Sequence, residues 1–428
     1  MQYKISLFSA IVINLNVMIG AGIFINTVLL SQNAGALGAA VYAVVGCIML
    51  PLLLSIARLN TYHKGGNFYD YGAHMGPYAG FLTLLSYFIA NQISSALAVH
   101  VCISLLQTIF PTLAVYSAIM LDCFIITIFA LLNSWNLTIG KKVQWSFMIA
   151  KLIPIVFVIL LGLYFFNIGN FSIAAFRPMG IIATAPFVLY AFMGFEATCS
   201  LSRLLKDPER DGPRAMLIAY FLGIAIVCLF QTALYGAIGL AFDRFSTYLE
   251  TIPALLTYIP FIGAHMQFGL KALLHCGIAA SALGSAYGVM YFNLWNLYEL
   301  AEKNSIPGSV YLRQLNACDV PVVAVFVAAG ISMVALLATC GDQVPLQQIA
   351  AFGMTFAYFM CSLGLVFLVR RQKGSLYIPL LGVASCCLLL FSACKNFMVY
   401  GSLMPGIVFL MLLLLGSISY GMRGKKVV

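Results

Sequence analysis

The chain has 428 residues, of which 63% are apolar and only 8% charged, with a formal net charge of +10. A soluble globular domain carries about 25% charged residues, so too little polar side chain is present to cover a water-facing surface. The basic excess forms no dense patch interleaved with aromatics, which argues against nucleic-acid binding.

In chain order, twelve apolar segments predict spans at 5–30, 34–59, 78–110, 112–133, 143–166, 180–202, 214–240, 268–302, 319–340, 347–371, 376–395 and 403–421. A helix needs roughly 20 apolar residues to cross a bilayer core. Backbone amides find no water there, so only helices or closed barrels cross, and the runs lack the alternation of a barrel strand. The expected fold class is an all-α integral membrane bundle. The first segment shows no A-x-A site and reads as a retained span. The twelve cysteines show no paired or metal-type spacing and read as small apolar residues.

With the N-terminus in the cytosol, seventeen of the 22 Lys and Arg fall on inner segments. Arg177, Arg244, Lys271 and Lys395 fall outside, and Lys151 lies within a span. The positive-inside rule then predicts both termini in the cytosol, in a bacterial inner membrane. No linker divides the chain, which reads as a single transporter domain over 1–428. The expected division is a first repeat over about 5–166, a second over about 180–371, and two further helices over about 376–421.

The first and sixth spans share an oddity at mid-depth: Gly20-Ala21-Gly22 in one, Gly194 followed by Glu196 in the other. Glycine in a helix interior costs roughly 1 kcal/mol relative to alanine, so these clusters invite unwinding. Freed backbone groups in lipid need partners, and a zwitterionic amino acid supplies both kinds. Its carboxylate would accept from N–H groups of Ala21, Gly22 and Ile23, where the helix dipole is positive. Its ammonium would donate to carbonyls of Tyr190, Ala191 and Phe192. Glycine in membrane helices also serves close packing; the matched break beside an acidic residue shifts the reading toward a site.

Asp122, Lys151 and Glu196 are ionisable residues near mid-membrane depth, and such groups usually face a cavity or a partner. Glu196 is expected to hold the open segment together or to carry a proton. Lys151 either snorkels toward the cytosol, or supplies a fixed ammonium in place of a coupling sodium ion, or carries a proton. Asp122 is left between a pair with Lys151 and a contact between helices. His100 and His275 read as satisfied polar contacts. Tyr190, Phe192 and Phe195 form a candidate aromatic lid.

Several ordered segments resemble the amino acid–polyamine–organocation superfamily of transporters. They include Val17–Phe24 with Ile19 and Gly20, Gly65–Tyr71, Gly76–Phe81, Gly140-Lys141-Lys142, Lys151–Pro154, Tyr190–Glu196, Lys206–Arg210 and Ala301–Pro307. The resemblance implies a ten-helix inverted-repeat core (5+5) with helices 1 and 6 broken, two additional helices, and alternating access. It places Asn91 at a position that recognises the substrate side chain, Tyr190 at a gating position, and Lys151 where many members carry a coupling lysine. The bacterial antiporters for basic amino acids look close. Two departures from their pattern are Val289, near a substrate-facing tryptophan position of the arginine–agmatine exchangers, and Lys151 itself. A third departure, from many members of the superfamily, is Ser202-Arg203-Leu204.

The predicted function is secondary active transport of an amino acid, by proton symport or by exchange. The alternatives are a polyamine or organic-cation antiporter of the same fold and a transport-incompetent membrane sensor. No H-E-x-x-H or G-x-S-x-G occurs, so no enzyme is predicted, and no filter sequence or charge ring suggests a channel. No cofactor, metal or bound sodium is expected. The expected partners are a small-molecule substrate and lipid, with the chain a monomer or homodimer.

Overall fold

A computed structural model describes residues 4–20, 22–64, 66–135, 137–172, 175–259, 263–399 and 403–423. Seventeen α-helices follow in order: α1 (Leu7–Met18), α2 (Gly22–Ala34), α3 (Gly38–Tyr62), α4 (Phe68–Gly72), α5 (Pro77–Ile109), α6 (Ala118–Trp135), α7 (Leu137–Tyr164), α8 (Met179–Phe192), α9 (Ala197–Ser200), α10 (Pro208–Ile238), α11 (Thr251–Leu256), α12 (Ala264–Glu302), α13 (Ser309–Leu312), α14 (Val322–Thr339), α15 (Gln343–Arg371), α16 (Tyr377–Val399) and α17 (Met404–Arg423).

Local chemistry sets many of the ends. Ser6 caps α1, Asp207 caps α10 and Asp342 caps α15, each accepting a backbone N–H. Pro77 and Pro208 sit in the first turns of α5 and α10, where a missing N–H costs nothing. Asn67 and Asp70 form a capping box on α4.

Among the described residues, ten helices are long and apolar enough to cross a membrane. The pair α1 and α2 passes the same test together, with a bend of 49° at the break. The sixth predicted span is the 14-residue α8, a turn and the short α9, so it does not form a continuous crossing helix. Among the described residues, ten of the twelve expected spans are single long helices and an eleventh is the bent α1–α2 pair.

Helices α5 and α12 pack together at the centre. Helix α15 covers α5, α10 covers α3, and α1 is held among α7, α10 and α12. Helix α2 pairs with α8, while α16 and α17 lie on α15. Leu160, Phe221, Leu388, Phe391 and Leu414 project outward from their helices, exposed, as suits an apolar solvent. All twelve cysteines are free thiols.

Candidate substrate site

Helix α1 ends at Met18 and α2 begins at Gly22. The carbonyls released by this break find donors within the chain. Lys151, on α7, is wholly buried, and its Nζ donates to the carbonyls of Asn16 at 2.7 Å and Ile19 at 2.5 Å. The Ser281 hydroxyl, on α12, donates to the carbonyls of Ile19 at 3.3 Å and Gly20 at 3.1 Å. The Asn16 amide donates to the Gly284 carbonyl at 2.8 Å and to the Gln144 side chain. A helix start leaves its first N–H groups without an intrahelical acceptor, and α2 starts here, at Gly22.

The second break follows Phe192. Gly194 has φ +111°, and a Cβ there would meet Val17 Cγ1 at 2.5 Å and the Met18 nitrogen at 3.0 Å. Only glycine combines that backbone with so close an approach. Glu196 ties the turn together: one carboxylate oxygen accepts from the Gly194 N–H at 3.1 Å and the other from the Tyr87 hydroxyl at 3.1 Å. The chain then re-enters α9, where Thr198 and Asn14 exchange two hydrogen bonds, at 3.0 and 3.1 Å. The two breaks are therefore laced to one another. A Cβ on Gly22 would stand 3.3 Å from the Ala191 Cβ, so the electropositive start of α2 faces the electronegative end of α8.

Between these ends lies a cavity of ≈ 110 Å³. Both breaks, α5 from Asn91 to Val101, α12 at Ser285 and Val289, and α15 from Gln343 to Met354 line it. It extends along α5 from Asn91 to Val101. Nearer the start of α5, Phe68 stacks on Tyr87 with ring centroids 3.7 Å apart. Beyond that pair, Arg203 bridges Glu299 at 2.9 Å and Glu302 at 2.5 Å, and Lys303 lies 3.5 Å from Glu299 and 3.7 Å from Asp70.

Of the residues expected at the site, Gly20, Gly22, Asn91, Ala191 and Gly194 line the cavity. Ile19 and Ile23 are buried beside it, and the Ile19 carbonyl is taken by Lys151 and Ser281. Phe192 packs against Tyr42 and Tyr220, and Phe195 against Tyr220 and Tyr358, so neither forms the expected lid. Lys151 and Glu196 stand behind the two breaks, and Lys151 does not snorkel. Ala21 and the Tyr190 side chain lie outside the described residues. Asp122 pairs with His100, at 2.7 Å, and not with Lys151. His275 contacts the Leu249 carbonyl at 3.3 Å, and Arg203 belongs to the ion-pair cluster.

Sequence reasoning missed Ser281, Ser285, Asn26 and Tyr87. The serines carried a signal, since their i, i+4 spacing in an apolar helix puts both on one face. Asn26 donates to the Phe187 carbonyl at 3.2 Å, a contact across 161 residues that no local pattern announces.

Comparison with known proteins gives the family. The family model described as amino acid permease matches residues 5–419. The aspartate-proton symporter of Bacillus subtilis is 25% identical over 259 residues, covering 55% of this chain and 48% of that protein. The match thus spans about half of that relative's length. The Asc-type amino acid transporter 1 of Mus musculus is 24% identical over 400 residues, 89% of this chain and 73% of the relative. An uncharacterized transporter of Mycobacterium bovis is 24% identical over 445 aligned positions, 99% of this chain and 92% of the relative. With a family match over nearly its whole length and at least ten membrane-length helices, the chain is a multi-pass integral membrane protein and belongs to the amino acid permease family.

Proposed function

We propose that the chain is a secondary active transporter that moves an amino acid by alternating access, with the substrate held between α2 and α8. The observation that carries this reading is the meeting of two broken helices across one cavity, with Gly22 against Ala191. The carboxylate binds the N–H groups that open α2, and the ammonium binds the carbonyls that end α8. Asn91, on the facing helix, contacts the substrate side chain.

Lys151 is the coupling group in this reading. Its ammonium occupies the carbonyls of Asn16 and Ile19, the kind of oxygen cage that a sodium ion would otherwise need. A proton on Lys151 therefore does the work of a bound cation, and its loss frees α1 to move. A relative named for proton symport is consistent with that coupling. The Tyr87–Glu196 contact and the Arg203 cluster form the closed cytosolic side, and the cavity opens outward. Both termini are cytosolic in a bacterial inner membrane, and the two breaks belong to inverted repeats at about 5–166 and 180–371.

Purified protein in liposomes, assayed for uptake and exchange of labelled amino acids with and without a pH gradient, tests this. Uptake or exchange of at least one amino acid is expected. Complete inactivity under every gradient would remove the transporter reading.

A further inference from the structure

Resting on that reading of the site, we infer that the substrate is a neutral amino acid, whose only charges are its own ammonium and carboxylate. Every described side chain that lines the cavity is uncharged. The polar ones are the amides of Asn26, Asn91, Gln343 and Gln347 and the hydroxyls of Ser94 and Ser285. Ala21 and Tyr190, outside the description in whole or in side chain, are uncharged by sequence.

The ionisable groups near the breaks are committed elsewhere. Glu196 accepts from Gly194 and Tyr87, Lys151 donates to Asn16 and Ile19, and Asp122 pairs with His100. Each helix end supplies roughly half an elementary charge of one sign. The pair of ends therefore matches a zwitterion and nothing more. A third charge on the solute would lose its hydration on entering and meet no counter-ion, a penalty that neutral amides offset only in part. A neutral side chain, apolar or hydrogen-bonding, meets Asn91, Ser94 and Met354 without that penalty. The same argument disfavours polyamines, which bring two or more cations and no carboxylate for the start of α2.

The test is competition in proteoliposomes with the full-length protein, using labelled alanine, serine, leucine and glutamine as tracers. Unlabelled neutral amino acids, aspartate, glutamate, lysine, arginine, agmatine and putrescine are the competitors. Neutral solutes are expected to compete at least about tenfold more strongly than any charged one. Transport of an acidic or basic solute as well as or better than the neutral set overturns this inference and leaves the transporter reading standing. Absence of transport for every solute overturns both. As a second arm, Asn91→Asp places a carboxylate of nearly the same shape in the cavity. It is expected to raise competition by lysine or arginine by about tenfold relative to alanine. An unchanged ranking, read by ligand-induced thermal stabilisation of the purified variant whether or not it transports, counts against the electrostatic argument.

Discussion

Removing the Lys151 side chain would leave the Asn16 carbonyl without its donor and the Ile19 carbonyl with only Ser281. A buried polar group left unpaired costs about 1–3 kcal/mol, and here the cost falls on the break between α1 and α2, proposed above to move during transport. Lys151→Ala is expected to cut transport by about tenfold or more, with a much smaller effect from Arg203→Ala, whose buried partner Glu299 retains Lys303 at 3.5 Å. Initial uptake rates in liposomes decide this, and equal mild losses in both variants would reduce Lys151 to a structural contact. At Gly22 the constraint is space. A Cβ there already approaches Ala191 to 3.3 Å, and valine adds two methyl groups in the gap proposed for the substrate backbone. Gly22→Val should fold and reach the membrane yet lose substrate binding by more than about tenfold. Unaltered affinity, measured by ligand-induced thermal stabilisation, would mean that this glycine serves helix packing alone.

At the scale of the element, the turn after α8 depends on Gly194. Its φ of +111° suits glycine, and a Cβ added there would meet Val17 and Met18. Gly194→Ala combines backbone strain of about 1–3 kcal/mol with overpacking against α1. The expected outcome is a lower melting temperature in detergent together with weakened transport, because Glu196 can no longer hold the turn and Tyr87 in one geometry. A variant as stable and active as the parent would show that the turn relaxes more easily than its contacts suggest. The same element shows why α1 and α8 break where they do. Helix α9 returns to α1 through Asn14 and Thr198, so the two interruptions are braced as a pair.

Across the whole molecule, the N-terminal face is joined by charge and by a histidine pair outside the spans. His63 and His74 meet at 2.7 Å between ring nitrogens. Burial lowers the pKa of both below 6.5; His63 and Arg371 lower that of His74 further, while Asp70 opposes the shift in each. The unfolded chain then binds more protons than the native one between the lowered values and about pH 6.5. Stability contributed by this pair is full above that window and falls as the pH drops through it. Melting temperatures of the solubilised protein between pH 8 and 5 are therefore expected to decline on acidification, and to decline less in His63→Gln. A steeper acid loss in the variant than in the parent would reverse the assigned sign.

Composition and apolar run length, read alone, determined that the chain is a helical membrane protein, because a bilayer leaves the backbone few alternatives. Local chemistry also marked the two breaks, since Gly20, Gly22 and Gly194 weaken helices whatever surrounds them. What local chemistry could not determine was which distant groups answer each break. Asp122 found His100, Lys151 found the end of α1, and Arg203 found Glu299 and Glu302, each across a packing arrangement that no spacing encodes. Phe192 and Phe195 turned away from the cavity because α3, α10 and α15 offered them aromatic neighbours. Only the tertiary structure decided that the described side chains around the cavity are uncharged. The side chains that form it come from helices far apart in sequence, and their convergence depends on how those helices pack.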